Sequence, residues 1–365
     1  MQQDFNLPQG IYLLSHSVGC LPKQAEKQLA EGYLSSWKTS GGDAWPQWLE
    51  IIDGFCKELS RMLGGKAEDY CPQSNLSSGL TKYLMSLPFN KNKNKILMHA
   101  SAFPSMGFVV QCLKGFGYEL KLIDQQHSPR DLTIWQEHLT SDVAAALITH
   151  VHSNTGLLSP VGDIADLCRE AGILTMVDVA QSAGIVPITI ADWQADVVFG
   201  SCVKWLCGGP GAGFMWLNPR HMSELKPMDV GWFSHENPFE FDIEHFAYAN
   251  SARRFWGGTP SVAPYALALG SIKQLNQTGV DVIYQHNRQL LGTVLSAAQP
   301  WLKNTLSLPQ LGGTLCMEFD KRVTDNLERK LDQLGAYFDR RGNTLRLSFH
   351  IYNTEQEAKQ VAHLF

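Results

Sequence analysis

Two residues in the middle of the chain are of types that do chemistry together. Asp178 stands near the end of the apolar run Ile173–Val179 (ILTMVDV), and Lys204 follows the run Asp196–Gly200 (DVVFG). A lysine whose amine is desolvated becomes a nucleophile that forms a Schiff base with a carbonyl. An aspartate beside it can hold a proton on a pyridine nitrogen and keep that ring an electron sink. An aspartate after a strand is, by itself, an ordinary helix N-cap. The pair in this order is the informative combination.

A ligand that carries a phosphate also needs a site for it, and one segment reads equally as such a site or as a plain helix N-cap. Pro72–Gly79 (PQSNLSSG) runs into the helical-looking Leu80–Leu87. Small polar side chains and free backbone N–H groups then meet at the positive end of a helix, where a dianion is stabilised. Ser201 adds a hydroxyl shortly before Lys204, and Gly257–Pro260 (GGTP) is a further polar turn leading into a helix. Gly208–Gly213 (GGPGAG) is the densest glycine run. It lacks the spacing of a dinucleotide site and precedes a strand rather than a helix, so it reads as a flexible return loop after Lys204.

These residues need elements to hold them. Ile96–His99, Glu119–Ile123, Ala144–Val151, Ile173–Val179, Asp196–Gly200 and Gly213–Leu217 read as strands. Most are continuous apolar runs, as expected of strands buried on both faces of a mainly parallel sheet. Helical segments such as Met106–Lys114 and Val161–Glu170 lie between them, which implies an α/β layer sheet. Ligands of such sheets bind beyond the carboxyl ends of the strands, where Asp178 and Lys204 stand. After Gly257 the pattern changes. Long helices over Ser261–Gln274 and Val280–Gln299 precede strands at Thr314–Phe319 and Leu345–Phe349 and helices at Val323–Gly335 and Thr354–Leu364. The expected division is a large domain at 46–259 and a smaller α+β domain formed by 1–45 with 260–365.

Composition removes other classes of function. The 365 residues are 44% hydrophobic and 18% charged, as in an ordinary globular chain. Thirty basic against 35 acidic residues give a net charge of −5, which argues against a dedicated nucleic-acid or anionic-membrane binder. The short basic run at Lys91–Lys95 reads as a solvated lead-in to a strand. Eight cysteines form no C-x-x-C pair and no zinc-like spacing with histidine, so no metal is expected. No signal peptide and no bilayer-spanning run are visible, and the expected location is cytoplasmic.

With these motifs in order, the chain resembles the fold type I pyridoxal-phosphate enzymes, and within them the class V aminotransferase superfamily. That group includes cysteine desulfurases, kynureninases, isopenicillin-N-epimerase-like proteins and transaminases. The resemblance spans nearly the whole chain and implies a mainly parallel seven-stranded sheet, pyridoxal 5'-phosphate as cofactor and an α-amino acid as substrate. VDVAQSAG (177–184) implies Asp178 at the pyridine nitrogen and Gln181 at the phenolic oxygen, which Asn154 of HSNTG (152–156) would also face. GSCVKWLCGGPGAG implies Lys204 as the aldimine lysine and Ser201 as a phosphate ligand, alongside Asn75, Leu76 and Ser77 of SNLSSG. GTP (258–260) resembles a turn that reaches the neighbouring subunit's phosphate, which implies a homodimer with Gly258 and Thr259 at the partner's site.

LRLSFHIYNTEQEA (345–358) matches the family's R-x-S-x-x-x-Y-N segment and implies Arg346 on the substrate α-carboxylate, a task suited to its planar fork. AFPS (102–105) is similar to the kynureninase segment whose Phe stacks on the cofactor ring, which points to Phe103. IYLLSHSVGCLPK (11–23) and VGWFSHENPFEFD (230–242) likewise resemble kynureninase segments, putting Ser17 and His235 on the substrate side. Val203 departs from the pattern, standing where kynureninases have Tyr and desulfurases His. Desulfurases carry a nucleophilic Cys shortly before the carboxylate-binding Arg, whereas Gly335–Thr344 (GAYFDRRGNT) has none and Cys316 lies in an apparent strand. The expected activity is that of a transaminase or Cβ-lyase, with kynureninase-like hydrolysis as the alternative. Desulfuration and a non-catalytic scaffold rank below both.

Overall fold

A computed structural model describes all 365 residues. Seven strands form the main sheet: β1 Tyr70–Gln73, β2 Lys95–His99, β3 Glu119–Ile123, β4 Val143–Thr149, β5 Leu174–Asp178, β6 Val197–Ser201 and β7 Gly213–Leu217. Their spatial order is β1-β7-β6-β5-β4-β2-β3. Neighbours from β6 through β3 pair parallel, and β7 alone runs antiparallel to both β6 and β1. The six strands expected from sequence are all present, two with the expected ends and four with ends shifted by one or two residues. Val151 lies beyond β4 and makes only an isolated bridge to Leu158. Strand β1 was not expected, because Pro72 interrupts a short polar run. It occupies the sheet edge, where a residue lacking an N–H is tolerated.

Helices cover the sheet and the second region: α1 Trp45–Leu63, α2 Leu76–Ser86, α3 Pro104–Cys112, α4 Val161–Glu170, α5 Ala263–Thr278, α6 Val280–Ala298, α7 Lys321–Gln333 and α8 Glu355–Ala362. Helix α1 buries Ile51, Phe55, Leu59 and Leu63, spaced four apart on one stripe that packs against α5. Each such side chain contributes roughly 1.5–3 kcal/mol by leaving water. Helix α8 starts in a capping box: Thr354 Oγ1 accepts from the Glu357 N–H at 3.1 Å, and the Glu357 carboxylate accepts from the Thr354 N–H at 2.7 Å.

The second region has its own three-stranded sheet, in the order β8 (Thr314–Glu318), β10 (Thr344–Ser348), β9 (Asp339–Arg341), with both pairings antiparallel. Strand β9 lies within Gly335–Thr344, where no strand is expected from sequence. It joins β10 through Gly342 and Asn343, and Gly342 takes φ +61°, the left-handed conformation a two-residue hairpin turn requires.

Two apolar cores result. The smaller contains Ile11, Leu13, Leu290, Leu291, Leu315, Leu345 and Val361 among others. The larger contains the main-sheet strands and also Phe5, Cys20, Tyr265, Leu269, Ile272, Leu275 and Ile283. Helix α5 therefore packs with the large core, and the cores part within α6.

Candidate active site

The carboxyl ends of β4, β5 and β6 converge on a cavity of about 230 Å³. It is lined by Asn75, Leu76, Ser77, Phe103, Asp178, Gln181, Ser201 and Lys204, all of them singled out from sequence. Ser105, Met106, Thr149, Val151, Ser153, Ala180 and Val203 complete the lining. The parallel register of β4, β5 and β6 brings their ends level, so residues far apart in sequence share one opening.

Lys204 is partly buried, with Nζ 5.6 Å from the centre of the Phe103 ring. Burial pushes its ammonium pKa down. Asp178 opposes that shift, and the guanidinium groups of Arg346 and Arg341 add to it. A lysine so placed holds more of its amine neutral and nucleophilic than one in water. Asp178 is buried, and its Oδ1 accepts from the Ala180 N–H at 2.8 Å. Burial raises its pKa, while that N–H and Lys204 pull it back down.

Helix α2 closes the opposite side. Asn75 Oδ1 caps it by accepting from the Ser78 N–H at 2.9 Å. The first two helical N–H groups, of Leu76 and Ser77, are left without intrahelical acceptors and open on the cavity. Gln181 is fixed by two bonds: its Nε2 donates to the His16 carbonyl at 3.0 Å, and its Oε1 accepts from the Trp205 indole N–H at 3.2 Å. One of its amide hydrogens remains free. Gly19 seats the N-terminal segment on the lysine segment, its N–H donating to the Val203 carbonyl at 2.8 Å. A Cβ there would lie 2.2 Å from the Lys204 carbonyl oxygen, so only glycine fits.

These groups fit pyridoxal phosphate. Thr149 lines the cavity, and its buried Oγ1 has no partner. An orphaned hydroxyl, two free helix N–H groups, a buried carboxylate and a depressed amine together match a ring carrying a phosphate, a phenolic oxygen, a basic nitrogen and an aldehyde.

Arg346 lies on β10 and is 2% exposed. Cα register places it between Cys316 on β8 and Asp339 on β9. Its Nη1 donates to Asp339 Oδ2, while its Nε is buried with no partner. The same Oδ2 lies 3.5 Å from Arg341 Nε and 3.7 Å from His16 Nε2.

Five predicted residues stand elsewhere. Asn154 is exposed and outside the cavity lining, although its neighbour Ser153 is within it. Ser17 is exposed, and the adjacent His16 is the residue turned inward. His235 lines a separate cavity of about 420 Å³ with Trp232, Phe241 and Phe246, so it does not meet Lys204 within this chain. Gly258 and Thr259 form an exposed turn away from the cavity.

Sequence reasoning missed Thr149, His16, Asp339 and Arg341. Two of them carried a signal: Gly342-Asn343 is a hairpin dipeptide that would have placed Asp339 and Arg341 on a strand beside Arg346.

Comparisons with known proteins bear on the family and the fold. The family model for class-V aminotransferases matches residues 81–361. An uncharacterized aminotransferase, YcbU, of Bacillus subtilis is 26% identical over 321 residues, covering 87% of this chain and 84% of the relative. A kynureninase of Deinococcus radiodurans is 28% identical over 306 residues, covering 81% and 73%. Among solved structures, a cysteine desulfurase from Thermococcus onnurineus has a TM-score of 0.83 at 19% identity, covering 99% of this chain and 95% of the other. The cystine C–S lyase C-DES has a TM-score of 0.87 at 21% identity, covering 98% of both. At these identities the two structures speak for the fold. The chain therefore belongs to the class-V aminotransferase family: it is a fold type I enzyme that uses pyridoxal phosphate to act on an amino acid.

Proposed function

We propose that this enzyme is a transaminase or a Cβ-lyase for a free α-amino acid. One observation carries the reading: Lys204, Asp178 and the α2 N-terminus meet in a cavity that no cysteine lines. Lys204 would hold the cofactor covalently and, once displaced by the substrate amine, stand as the base for the α-proton. Asp178 would keep the ring nitrogen protonated, Phe103 would cover the ring face, and Leu76, Ser77 and Ser201 would hold the phosphate. Asn75 would serve by capping α2. Bound pyridoxal phosphate supplies the electron sink that makes the α-proton removable. Arg346 would take the α-carboxylate.

Protein-thiol desulfuration fits poorly. A thiol that accepts sulfur must reach the substrate as thiolate. Cys316 beside Arg346 is buried, and burial pushes its thiol up to about 11. Kynureninase-like hydrolysis is the second reading. It is favoured by the kynureninase relatives and by Phe103 beside Lys204.

Three further points belong to the proposal. The exposed Gly258-Thr259 turn would complete a partner's site in a homodimer. The chain would act in the cytoplasm, its eight free thiols reduced. Residues 46–259 would form a large unit and 1–45 with 260–365 a small one; the separate core of Ile11, Leu13 and the residues from Leu290 onward supports a small unit, while α5 packs with the large core.

An amino-acid panel on holoenzyme decides the reaction. Keto-acid release with recovery of the aminated cofactor is the transaminase result, and ammonia with an eliminated β-group is the lyase result. Anthranilate from kynurenine without either would overturn the first reading in favour of the second.

A further inference from the structure

Asp339 is the sole carboxylate within 4.0 Å of either Arg346 or Arg341, and it meets both through one oxygen, Oδ2. The three side chains come from one hairpin. Asp339 and Arg341 sit two apart on β9 and so share a face, and Asp339 is the direct Cα partner of Arg346 on β10. The remaining neighbours carry no charge at neutral pH. Cys316 is a buried thiol, and the His16 ring is buried and held by Ser348 Oγ at 2.8 Å.

The balance is therefore two guanidinium groups against one carboxylate, a net single positive charge. Arg346 is the buried member, and its Nε still lacks a partner. Arg341 is about half exposed at 49%, and its only ionic contact is the 3.5 Å approach to Asp339. His16 joins this cluster to the cofactor cavity: its Nε2 lies 3.7 Å from Asp339 Oδ2, and its carbonyl accepts from Nε2 of the cavity-lining Gln181 at 3.0 Å.

We propose that Asp339 sets the charge selectivity of the substrate site. By neutralising one of the two guanidinium groups, it leaves a single positive charge, matched to an amino acid with one carboxylate and an uncharged side chain. A second acid group on the substrate meets no unspent positive charge and faces Asp339 instead. Asp339 is a specificity-determining residue here, bonded to Arg346 and shared with Arg341, which supplies the second positive charge of the cluster. The inference rests on Arg346 as the α-carboxylate partner.

Holoenzyme and the variants Asp339→Asn, Arg341→Ala and Arg346→Ala test it through the dissociation constants of alanine and aspartate, followed by the cofactor absorbance. Asp339→Asn raises the cluster to two positive charges and is expected to shift the aspartate-to-alanine affinity ratio toward aspartate by about tenfold. Arg341→Ala is expected to shift the ratio the other way. Ratios unchanged in both variants, with alanine still bound, would overturn the proposal. Should Asp339→Asn not fold, the half-exposed Arg341 position still decides by the sign of its shift. Alanine binding that survives Arg346→Ala would instead overturn Arg346 as carboxylate partner, a failure distinct from a flat ratio.

Discussion

The side-chain amide of Gln181 donates to the main-chain carbonyl of His16 at 3.0 Å, tying the cofactor cavity to a segment 165 residues away. The other end of the same amide accepts from Trp205, next to Lys204. Gln181 thus holds the N-terminal segment and the lysine segment in one register. Replacing it by Ala strands a buried indole N–H and a carbonyl. Such losses cost about 1–3 kcal/mol for each group left unpaired. Gln181→Ala is expected to lower the melting temperature of the apo-protein and to weaken cofactor binding together. A variant that loses cofactor affinity at unchanged melting temperature would show that Gln181 touches the cofactor without bracing the fold.

Lys204→Ala removes the amine while leaving Asp178, Phe103 and the α2 N-terminus in place. The variant is expected to bind pyridoxal phosphate without a borohydride-trappable link, and to lose activity by at least about 10²–10⁴-fold, the usual worth of a positioned base. Peptide mass mapping after borohydride reduction reads the first point directly. Trapping on another lysine in the wild type would remove Lys204 from its role.

How much of this was legible in the sequence depended on whether a residue's signal was local. Asp178 ends one strand-like apolar run and Lys204 follows another, so their convergence followed from reading those runs as neighbouring parallel strands. The polar entry into a helix marked the segment Pro72–Gly79, and the family resemblance narrowed it to Asn75, Leu76 and Ser77. Strand β1 was hidden because Pro72 argues against a strand except at an edge, and edge position is a property of the whole sheet. Ser17 was chosen over His16 because a one-residue difference in facing is not visible without the strand pairing at Ile11–Tyr12 and the bridge from Leu14 to Ser348. The pairing of Asp339 with Arg346 needed the hairpin register as well as the hairpin.

Arg346 offers a separable test of substrate binding. It sits on β10 in the small core's sheet, outside the residues that line the cofactor cavity. Arg346→Ala is expected to raise KM for amino acids by on the order of 10–100-fold, the worth of a lost charge-assisted contact. The cofactor's dissociation constant is expected to stay within about threefold of wild type, a fraction of that contact's worth. Loss of both in parallel would mean that Arg346 serves the fold through Asp339 rather than the substrate.

Acid sensitivity follows from buried histidines, of which four are strongly depressed. Burial pushes His16 down to about 4, His150 to about 3, His152 to about 4 and His350 to about 4. In the unfolded chain each titrates near its ordinary value of about 6.5. Between those values the unfolded chain binds protons that the folded chain does not. Stability is therefore full above pH 6.5 and falls as the pH drops toward 4, by up to about 1.4 kcal/mol per pH unit for each ring. The melting temperature of the apo-protein is expected to decline steadily from pH 7 to pH 5. His150, bonded through Nδ1 to Ser182 Oγ at 2.9 Å, is the most depressed of the four. His150→Gln should melt lower at pH 7, because the fit around Ser182 is lost, yet show a shallower decline with acid. A slope equal to that of wild type would mean that His150 takes up its proton in the folded state and contributes nothing to the acid sensitivity.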